Sequence, residues 1–370
     1  MQIVILGMHR SGTSPLTRII NLMGAYVGME GTLMEPYPGN PKGFWERTDV
    51  LALHQEVLKT LDADWYRVAN FDLDKLTENH RATFERKARE IIRKLDAHRP
   101  WVMKDPRMCL LLPLWQPLLE APICVHIYRS PLEVAQSLRT RNGFSIHFGA
   151  ALWEKHNLAA LTNSRKLPRL FVSHQRLLGE PIETVRVLYE QLLTLGVHGL
   201  RLPSEWEILA FLDPALYRER GDASLRKEFV SFPQEELFQA FEEGTASDFD
   251  EVRSLSAGAQ EALEHAEIEE ERERQRRLTD DAVQAKEAEL TTLHQKVMAL
   301  EQQCTEAEQK RMVLAQSKAA EVKAWQQQCT EAEQKRMVLA QSKAAEVKAW
   351  QQRLAEAEQQ RTADVQTLQQ

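Results

Sequence analysis

The sequence predicts an α/β protein, in which a P-loop-like parallel β-sheet flanked by helices is followed by a long α-helical coiled-coil tail. Three observations lead to this fold class. The chain opens on the apolar run Ile3–Leu6, which enters a glycine-containing loop and then a helical segment. Apolar runs and amphipathic segments then alternate, as in a parallel sheet wrapped by helices. From residue 259 onward there is neither proline nor glycine, and residues that favour helix dominate.

Length and composition allow two domains and exclude several protein classes. Of the 370 residues, 43% are hydrophobic and 27% charged, and the mean hydropathy of −0.45 fits a globular domain joined to a long polar segment. A net charge of −7 argues against a general nucleic-acid binder. The four cysteines have no C-x-x-C spacing, so neither a disulfide framework nor a zinc site is expected. We expect a cytoplasmic protein without a signal peptide or transmembrane segment, because no apolar run reaches about 18 residues.

The opening loop has the features of an anion site. Ile3–Leu6 predicts a buried strand, Gly7 and Gly12 a tight loop, and Pro15–Met23 a helix. The backbone N–H groups of such a loop and the positive end of the helix attract phosphate. The spacing matches the Walker A pattern G-x-x-x-x-G-K-[ST], except that Thr13 replaces the lysine. We predict a phosphate-like ligand bound in a manner unlike that of an ordinary ATPase; the alternative is a structural strand–turn–helix corner.

The other elements of the first half follow from apolar periodicity. Residues 77–98 predict a helix whose apolar face comprises Phe84, Ala88, Ile91, Ile92 and Leu95. Further strands are predicted at 100–104, 123–128 and 170–172, and further helices at 132–140, 146–161 and 182–195.

Three polar groups follow predicted strands, at the edge where a parallel sheet binds ligands. The first is the opening loop, and the second is the run Lys104-Asp105-Pro106-Arg107. The third is Arg129-Ser130-Pro131, directly after strand 123–128, with Ser137 on the next helix. The side chains of these three groups are therefore candidate ligand contacts.

These motifs, in this order, resemble those of the sulfotransferases that use 3′-phosphoadenosine 5′-phosphosulfate (PAPS). Arg10–Thr13 looks like their 5′-phosphosulfate loop, and Arg129 with Ser137 looks like their 3′-phosphate site. The K-D-P run at 104–106 looks like that of tyrosylprotein sulfotransferases and many bacterial members. Two further segments look like parts of such domains, 40–46 (NPKGFWE) and 211–218 (FLDPALYR). The family often has a Tyr-Glu pair after the later strand, where this chain has Ser173-His174-Gln175.

The resemblance implies PAPS as co-substrate and no metal ion. The residues expected to bind PAPS are Arg10, Ser11, Gly12, Thr13, Ser14, Arg129 and Ser137. Sulfuryl transfer is an in-line displacement that places negative charge on the leaving oxygen. By analogy with phosphoryl transfer, Arg10 and Lys104 are assigned to stabilising that charge. No triphosphate has to be bridged, so Mg²⁺ is not required.

The acceptor hydroxyl needs a base, and the family members that use a carboxylate are the closer parallel. Glu46 is our first choice, with an ordinary surface carboxylate as the alternative, and Glu35 is the second. Asp105 is a third candidate, unless it orients Lys104 instead. A single histidine beside a loop or strand is more often structural, and none is selected from His9, His126 and His147.

The acceptor is the part of the function that the sequence defines least. Glycan, lipid, peptide and small-molecule hydroxyls all fit the resemblance, and a saccharide is the preferred choice. Trp45, Trp65 and Trp115 either line an acceptor pocket or pack in the core. Two other functions compete. A P-loop kinase-like enzyme predicts a lysine where Thr13 stands, and a non-catalytic coiled-coil scaffold predicts nucleotide binding without turnover.

The domain organisation predicted from composition has three parts. We expect a PAPS-binding domain at 1–221, a linker with a short packed helix at 222–258, and a coiled coil at 259–370.

The tail contains a sequence repeat. Residues 302–326 recur unchanged at 327–351, and a partial third copy covers 352–361. The 25-residue repeat spans seven helical turns, about 3.57 residues per turn, which predicts a shallow left-handed supercoil with a second copy or a partner helix. Arg311 and Lys318 interrupt the apolar seam, so a solvated single helix is the alternative.

Overall fold

The structure is a computed structural model that describes residues 1–35, 43–212, 228–248 and 254–367. The chain divides into two compact units, Met1–Gln275 and Arg276–Gln370. The first unit contains a parallel sheet with helices on both faces, which confirms the predicted fold class. The second unit lies within one long helix.

The sheet of the first unit has the strand order β2-β1-β3-β4. The strands are β1 (Gln2–Leu6), β2 (Trp101–Lys104), β3 (Pro122–Tyr128) and β4 (Arg169–Ser173). Each pairing among them is parallel; Ile5 lies opposite Lys104, and Tyr128 lies opposite Ser173. The segments that follow all four strands therefore leave the sheet at one edge, which we call the carboxyl edge.

The helices of the first unit begin with α1 at the end of the opening loop. They are α1 (Thr13–Leu22), α2 (Thr48–Thr60), α3 (Glu78–Asp96), α4 (Met108–Trp115), α5 (Pro131–Asn142), α6 (Ile146–Ser164), α7 (His174–Gly179), α8 (Pro181–Thr194), α9 (Glu205–Phe211) and α10 (Phe232–Glu242). The long helix α11 is Ala257–Thr367.

Two apolar layers cover the sheet because successive strand residues point to opposite faces. Val4 and Leu6 belong to a core with residues of α2 to α6, whereas Ile3 and Ile5 belong to a core with residues of α1, α8 and α9. All five residues of β1 are buried, as a parallel strand covered on both faces requires.

The predicted strands and helices are confirmed, with boundaries that differ by a few residues. In α3 the five residues of the predicted apolar face are the buried ones. Helices α2, α4, α7 and α9 were not predicted from the sequence. Helix α4 escapes a periodicity argument because seven of its eight side chains are buried, so it has no polar face, and it also contains Pro113.

Helix α10 lies inside the segment predicted as a linker. Its Leu237 and Phe241 are buried in the first unit, and the Phe241 ring stacks on Tyr128 with ring centroids 4.9 Å apart. The segments 213–227 and 249–253 lie outside the described residues.

The two ends of α11 have different surroundings. Ala259 and Leu263 are buried in the first unit, whereas every side chain from 271 to 363 is exposed. Among the exposed side chains are Cys304 and Cys329, which occupy equivalent positions of the repeat. No helix within the described residues is long and apolar enough to cross a bilayer.

Candidate functional site

The opening loop is shaped by two glycines that leave no room for a side chain. A Cβ on Gly7 would lie 2.6 Å from the carbonyl oxygen of Ile127, and a Cβ on Gly12 would lie 2.4 Å from Cδ2 of His174. Gly12 also has a φ of 93°, in the left-handed region that favours glycine. The loop is therefore held tightly between β3 and the start of α7.

Two buried side chains, Cys109 and Ser11, lie at the opening loop. The backbone N–H of Gly7 donates to Sγ of Cys109, 3.2 Å away, and burial raises the pKa of that thiol to about 12. The hydroxyl of Ser11 is buried and has no hydrogen-bond partner within the described residues. A buried hydroxyl without a partner is costly, so this side chain is suited to a polar ligand in the loop.

Lys104 joins the loop to Glu46. Its Nζ lies 2.6 Å from Oε1 of Glu46 and 3.3 Å from the hydroxyl of Ser14, which donates in turn to the carbonyl of Phe44. Lys104 and Glu46 are only 2% and 6% exposed, so this is a buried ion pair. The structure thus brings together three residues of the predicted site from three separate segments of the chain.

Arg129 and Ser137 meet the opening loop at a second cluster. Arg129 donates through a terminal guanidinium nitrogen to the carbonyl of Arg10, 3.1 Å away, and through Nε to Glu133, 2.8 Å away. Nε of Arg10 donates to the hydroxyl of Ser137 at 2.9 Å. Arg10 therefore lies with the predicted 3′-phosphate residues, and its predicted role beside Lys104 stays a prediction.

His174 follows β4 and packs against Gly12, next to the Arg129 cluster. Burial, followed by the nearby charges of Arg129 and Arg10, lowers the pKa of His174 to about 3. The imidazole is therefore neutral at pH 7 and adds no charge to the anion site. The sequence analysis noted residues 173–175 only as a departure from the family pattern.

Asp105 contacts a different set of groups from Lys104. One carboxylate oxygen accepts the backbone N–H of Arg107 at 2.8 Å, and the other lies 3.2 Å from Nδ1 of His54. Nε2 of His54 accepts the indole N–H of Trp115 at 2.8 Å. Burial by itself would raise the pKa of the Asp105 carboxyl. The neighbouring His54 and Arg107 outweigh this effect and hold the pKa of Asp105 well below its usual range. Asp105 is thus a buried carboxylate that orders the start of α4.

The remaining candidate bases lie elsewhere. Glu35 is exposed, and His147 is exposed with its ring against Phe229. His126 is buried with Nε2 2.9 Å from the hydroxyl of Ser164, and burial lowers its pKa to about 3. Residues 40–42 and 213–218 of the family-like segments lie outside the described residues.

The three tryptophans separate into different surroundings. Trp115 is fully buried in the core, so it lines no acceptor pocket. The guanidinium carbon of Arg18 lies 4.6 Å from the ring centroid of Trp45. The ring of Trp65 lies against His9 of the opening loop, with centroids 4.4 Å apart.

Two site residues that the sequence analysis missed differ in how they are found. Glu133 stands four residues after Arg129 on α5, a spacing at which opposite charges pair, so the sequence contained a signal for it. His54 gave no signal, because α2 was not predicted. No group of three or more His, Cys, Asp or Glu side chains in the described ranges is arranged to hold a metal ion.

Two solved structures are similar to the chain: a sulfotransferase domain from the olefin synthase of Synechococcus PCC 7002 and a sulfotransferase domain from the curacin biosynthetic pathway. The first is 17% identical, with a TM-score of 0.35 over 72% of this chain and 94% of that one. The second is 16% identical, with a TM-score of 0.34 over 72% of this chain and 96% of that one. No curated protein matches the chain.

The sequence match to a protein family covers the whole sheet and the carboxyl edge. It extends over residues 2–194, more than half of the chain, and includes the opening loop, Lys104, Arg129 and Ser137. The chain belongs to the sulfotransferase family.

Proposed function

We propose that this sulfotransferase moves a sulfuryl group from PAPS to a hydroxyl of an acceptor, for which a saccharide is our first choice. The observation that carries the proposal is the buried Lys104, whose ammonium contacts Ser14 of the opening loop on one side and Glu46 on the other. A cation between an anion loop and a carboxylate is what a displacement with a carboxylate base needs.

The residues at the carboxyl edge fit a nucleotide with phosphates at both ends of one ribose. The loop from Arg10 to Ser14 would hold the 5′-phosphosulfate, and the unpartnered hydroxyl of Ser11 supports this assignment. Arg129 and Ser137 would hold the 3′-phosphate, with Glu133 orienting the guanidinium of Arg129. Arg10 contacts this pair directly, so we propose that it links the two phosphate sites.

In the mechanism we propose, Glu46 and Lys104 divide the work. PAPS supplies an electrophilic sulfur and a phosphate leaving group when bound. Glu46 accepts the proton of the acceptor hydroxyl, whose oxygen forms the new bond to sulfur. Lys104 stabilises the charge that develops on the departing phosphate oxygen, and its burial strengthens that interaction because water does not screen it.

Calorimetric titration tests the donor. We expect the full chain to bind 3′-phosphoadenosine 5′-phosphate (PAP) without a metal and to bind ATP with Mg²⁺ far more weakly. Tight binding of ATP with no binding of PAP would contradict the proposal and favour the kinase-like alternative.

The carboxylate base is tested by two matched variants. Glu46→Gln removes the base but keeps the shape, so we expect turnover to fall about 10²–10⁴-fold while the Kd for PAP changes little. Glu35→Gln is the control, since Glu35 is exposed, and should leave both quantities unchanged. Full turnover in the Glu46 variant would remove Glu46 from the mechanism.

The domain organisation and the location in the cell complete the proposal. We propose that the tail, 259–370, forms a coiled coil with a second copy of the chain or with a partner helix, following the linker 222–258 and the PAPS-binding domain 1–221. Four free cysteines support a cytoplasmic, reducing location.

A further inference from the structure

The first turns of α11 contact segment 64–69 of the first unit at several points. Glu270 accepts a hydrogen bond from the hydroxyl of Tyr66 at 2.7 Å, and Glu267 accepts the backbone N–H of Ala69 at 2.8 Å. The amide of Gln260 donates to the carbonyl of Ala69 at 3.2 Å, and Leu263 beside it is fully buried. One face of the helix therefore holds this segment at several points.

The Tyr66 hydroxyl and the Glu267 carboxylate in this contact are partly shielded from water. Burial, followed by the hydrogen bond to Glu270, raises the pKa of Tyr66 to about 12. Burial also raises the pKa of Glu267 above its ordinary value, against the hydrogen bond from Ala69. A hydrogen bond to a partly desolvated carboxylate stabilises the fold more than a hydrogen bond to an exposed carboxylate. The contact between α11 and segment 64–69 therefore contributes to the stability of the first unit.

The same segment contacts the opening loop on its other side. The Trp65 ring lies 4.4 Å from the ring of His9, and it also meets Tyr66 and Phe144 at 5.2 and 5.8 Å. His9 directly precedes Arg10, whose φ of 72° is a left-handed conformation that a side-chain-bearing residue keeps only when its surroundings hold it. Trp65 is therefore part of what holds this strained turn.

His9 also lies near charged groups that follow β2. β2, which ends in Lys104, is next to β1 on the side opposite β3, which precedes Arg129. Burial, followed by the charge of Arg107, holds the pKa of His9 well below its ordinary value, although the charge of Asp105 opposes the shift. The aromatic contact thus supports the turn at Arg10, whose side chain and carbonyl contact the proposed 3′-phosphate residues Ser137 and Arg129.

We propose that Glu267 and Glu270 are positioning residues for the proposed donor site: they fix segment 64–69, through which Trp65 holds His9 and the turn at Arg10. The start of the tail helix is then part of the active-site scaffold. This inference rests on the proposed function only for its consequence on ligand binding, because the conformation of the loop is measurable without ligand.

Amide hydrogen exchange of the full chain tests the proposal. In the double variant Glu267→Ala, Glu270→Ala we expect exchange at residues 8–12 to rise about tenfold, together with exchange at 64–69. Exchange in α8, which packs in the opposite layer, should stay as in the wild type. Glu271→Ala is the matched control, because this neighbouring carboxylate is exposed, and it should change neither region.

Two additional measurements keep the outcome decisive. Tyr66→Phe removes a single hydroxyl and should give the same local pattern at smaller amplitude if the double variant does not fold. The Kd for PAP should weaken about fivefold in the double variant and stay unchanged in Glu271→Ala. Faster exchange confined to 64–69, or faster exchange everywhere including α8, overturns the proposal. A wild type that fails to bind PAP refutes the proposed function instead and leaves the exchange test intact.

Discussion

The two units of this chain hold their side chains in opposite ways. In the first unit, Lys104 and Glu46 pair across 58 residues of sequence, and Arg10 reaches Ser137 across 127. In the second unit, the side-chain hydrogen bonds within the repeat join residues four apart, such as Gln302 to Glu306, and every described side chain up to residue 363 is exposed. In the first unit, contacts between distant segments position the side chains of the candidate site. The repeat of the second unit specifies only a continuous helix.

The difference also decides what a substitution does. A buried ion pair has lost its water, so removing one partner leaves an uncompensated charge. An exposed pair on a helix contributes little because water and salt screen it. The same chemical change should therefore have very different effects in the two units.

The largest expected effect comes from Lys104→Met. We expect a loss of about 3–5 kcal/mol in the free energy of unfolding, because Glu46 stays buried without its cation. Turnover should fall about 10²–10³-fold. Urea unfolding followed by tryptophan fluorescence measures the first quantity, and Lys323→Met in the exposed tail should shift it by less than about 0.5 kcal/mol.

A double variant separates the two parts of that effect. Adding Glu46→Gln to Lys104→Met removes the stranded charge and should restore part of the stability, whereas turnover stays low. Equal stability of the wild type and Lys104→Met would show that the ion pair does not behave as a buried one.

A medium effect is expected from acid, and only in the first unit. Burial lowers the pKa of His126 and His174 to about 3 and that of His156 to about 4, below the ordinary 6.5. Below pH 6.5 the unfolded chain therefore binds more protons than the folded one, so stability is highest above pH 6.5 and is lost as the pH falls. Each histidine removes up to about 1.4 kcal/mol per pH unit.

Urea unfolding at pH 7.0 and pH 5.0 measures this loss. His126→Asn removes one of four such groups, since the pKa of buried His9 is also lowered, and should make the dependence on pH about one quarter shallower. A free energy of unfolding that is the same at both pH values would contradict the burial of these rings.

The smallest effect on the first unit should come from the tail. Leu314 lies on the apolar seam of the tail, between Arg311 and Lys318, and Leu339 is its repeat equivalent. Replacing both leucines by lysine places charges on this seam, so self-association should weaken about tenfold or more. Sedimentation velocity over a range of concentrations measures association. The unfolding of the first unit should change by less than about 0.5 kcal/mol, since both leucines are exposed outside it. A wild type that is monomeric at all concentrations would exclude the pairing with a second copy and leave a partner helix or the solvated single helix.

Sequence reasoning located the strands and the motifs that follow them because both depend on neighbouring residues. Apolar runs marked β1 and β3, and parallel strands necessarily bring the segments after them to one edge. Ser137 was found through the family resemblance, in which it stands eight residues after Arg129.

The contacts made across the fold could not be found in this way. No local pattern indicates that His174 fills the space beside Gly12, or that His54 of α2 contacts Asp105, which follows β2. The helix-favouring composition likewise continues without a break across residue 275, so it does not show that the start of α11 packs in the first unit while the rest is exposed.

The repeat provides a molecular ruler that needs no engineering. Cys304 and Cys329 are exposed and have identical neighbours in sequence, whereas Cys109 and Cys124 are buried, and burial raises the pKa of both buried thiols to about 12. Spin labels or dyes should therefore attach to the two tail thiols alone. Twenty-five residues of helix separate the pair by about 37 Å, so a narrow distance distribution would report an unbroken rod and a broad one a bend.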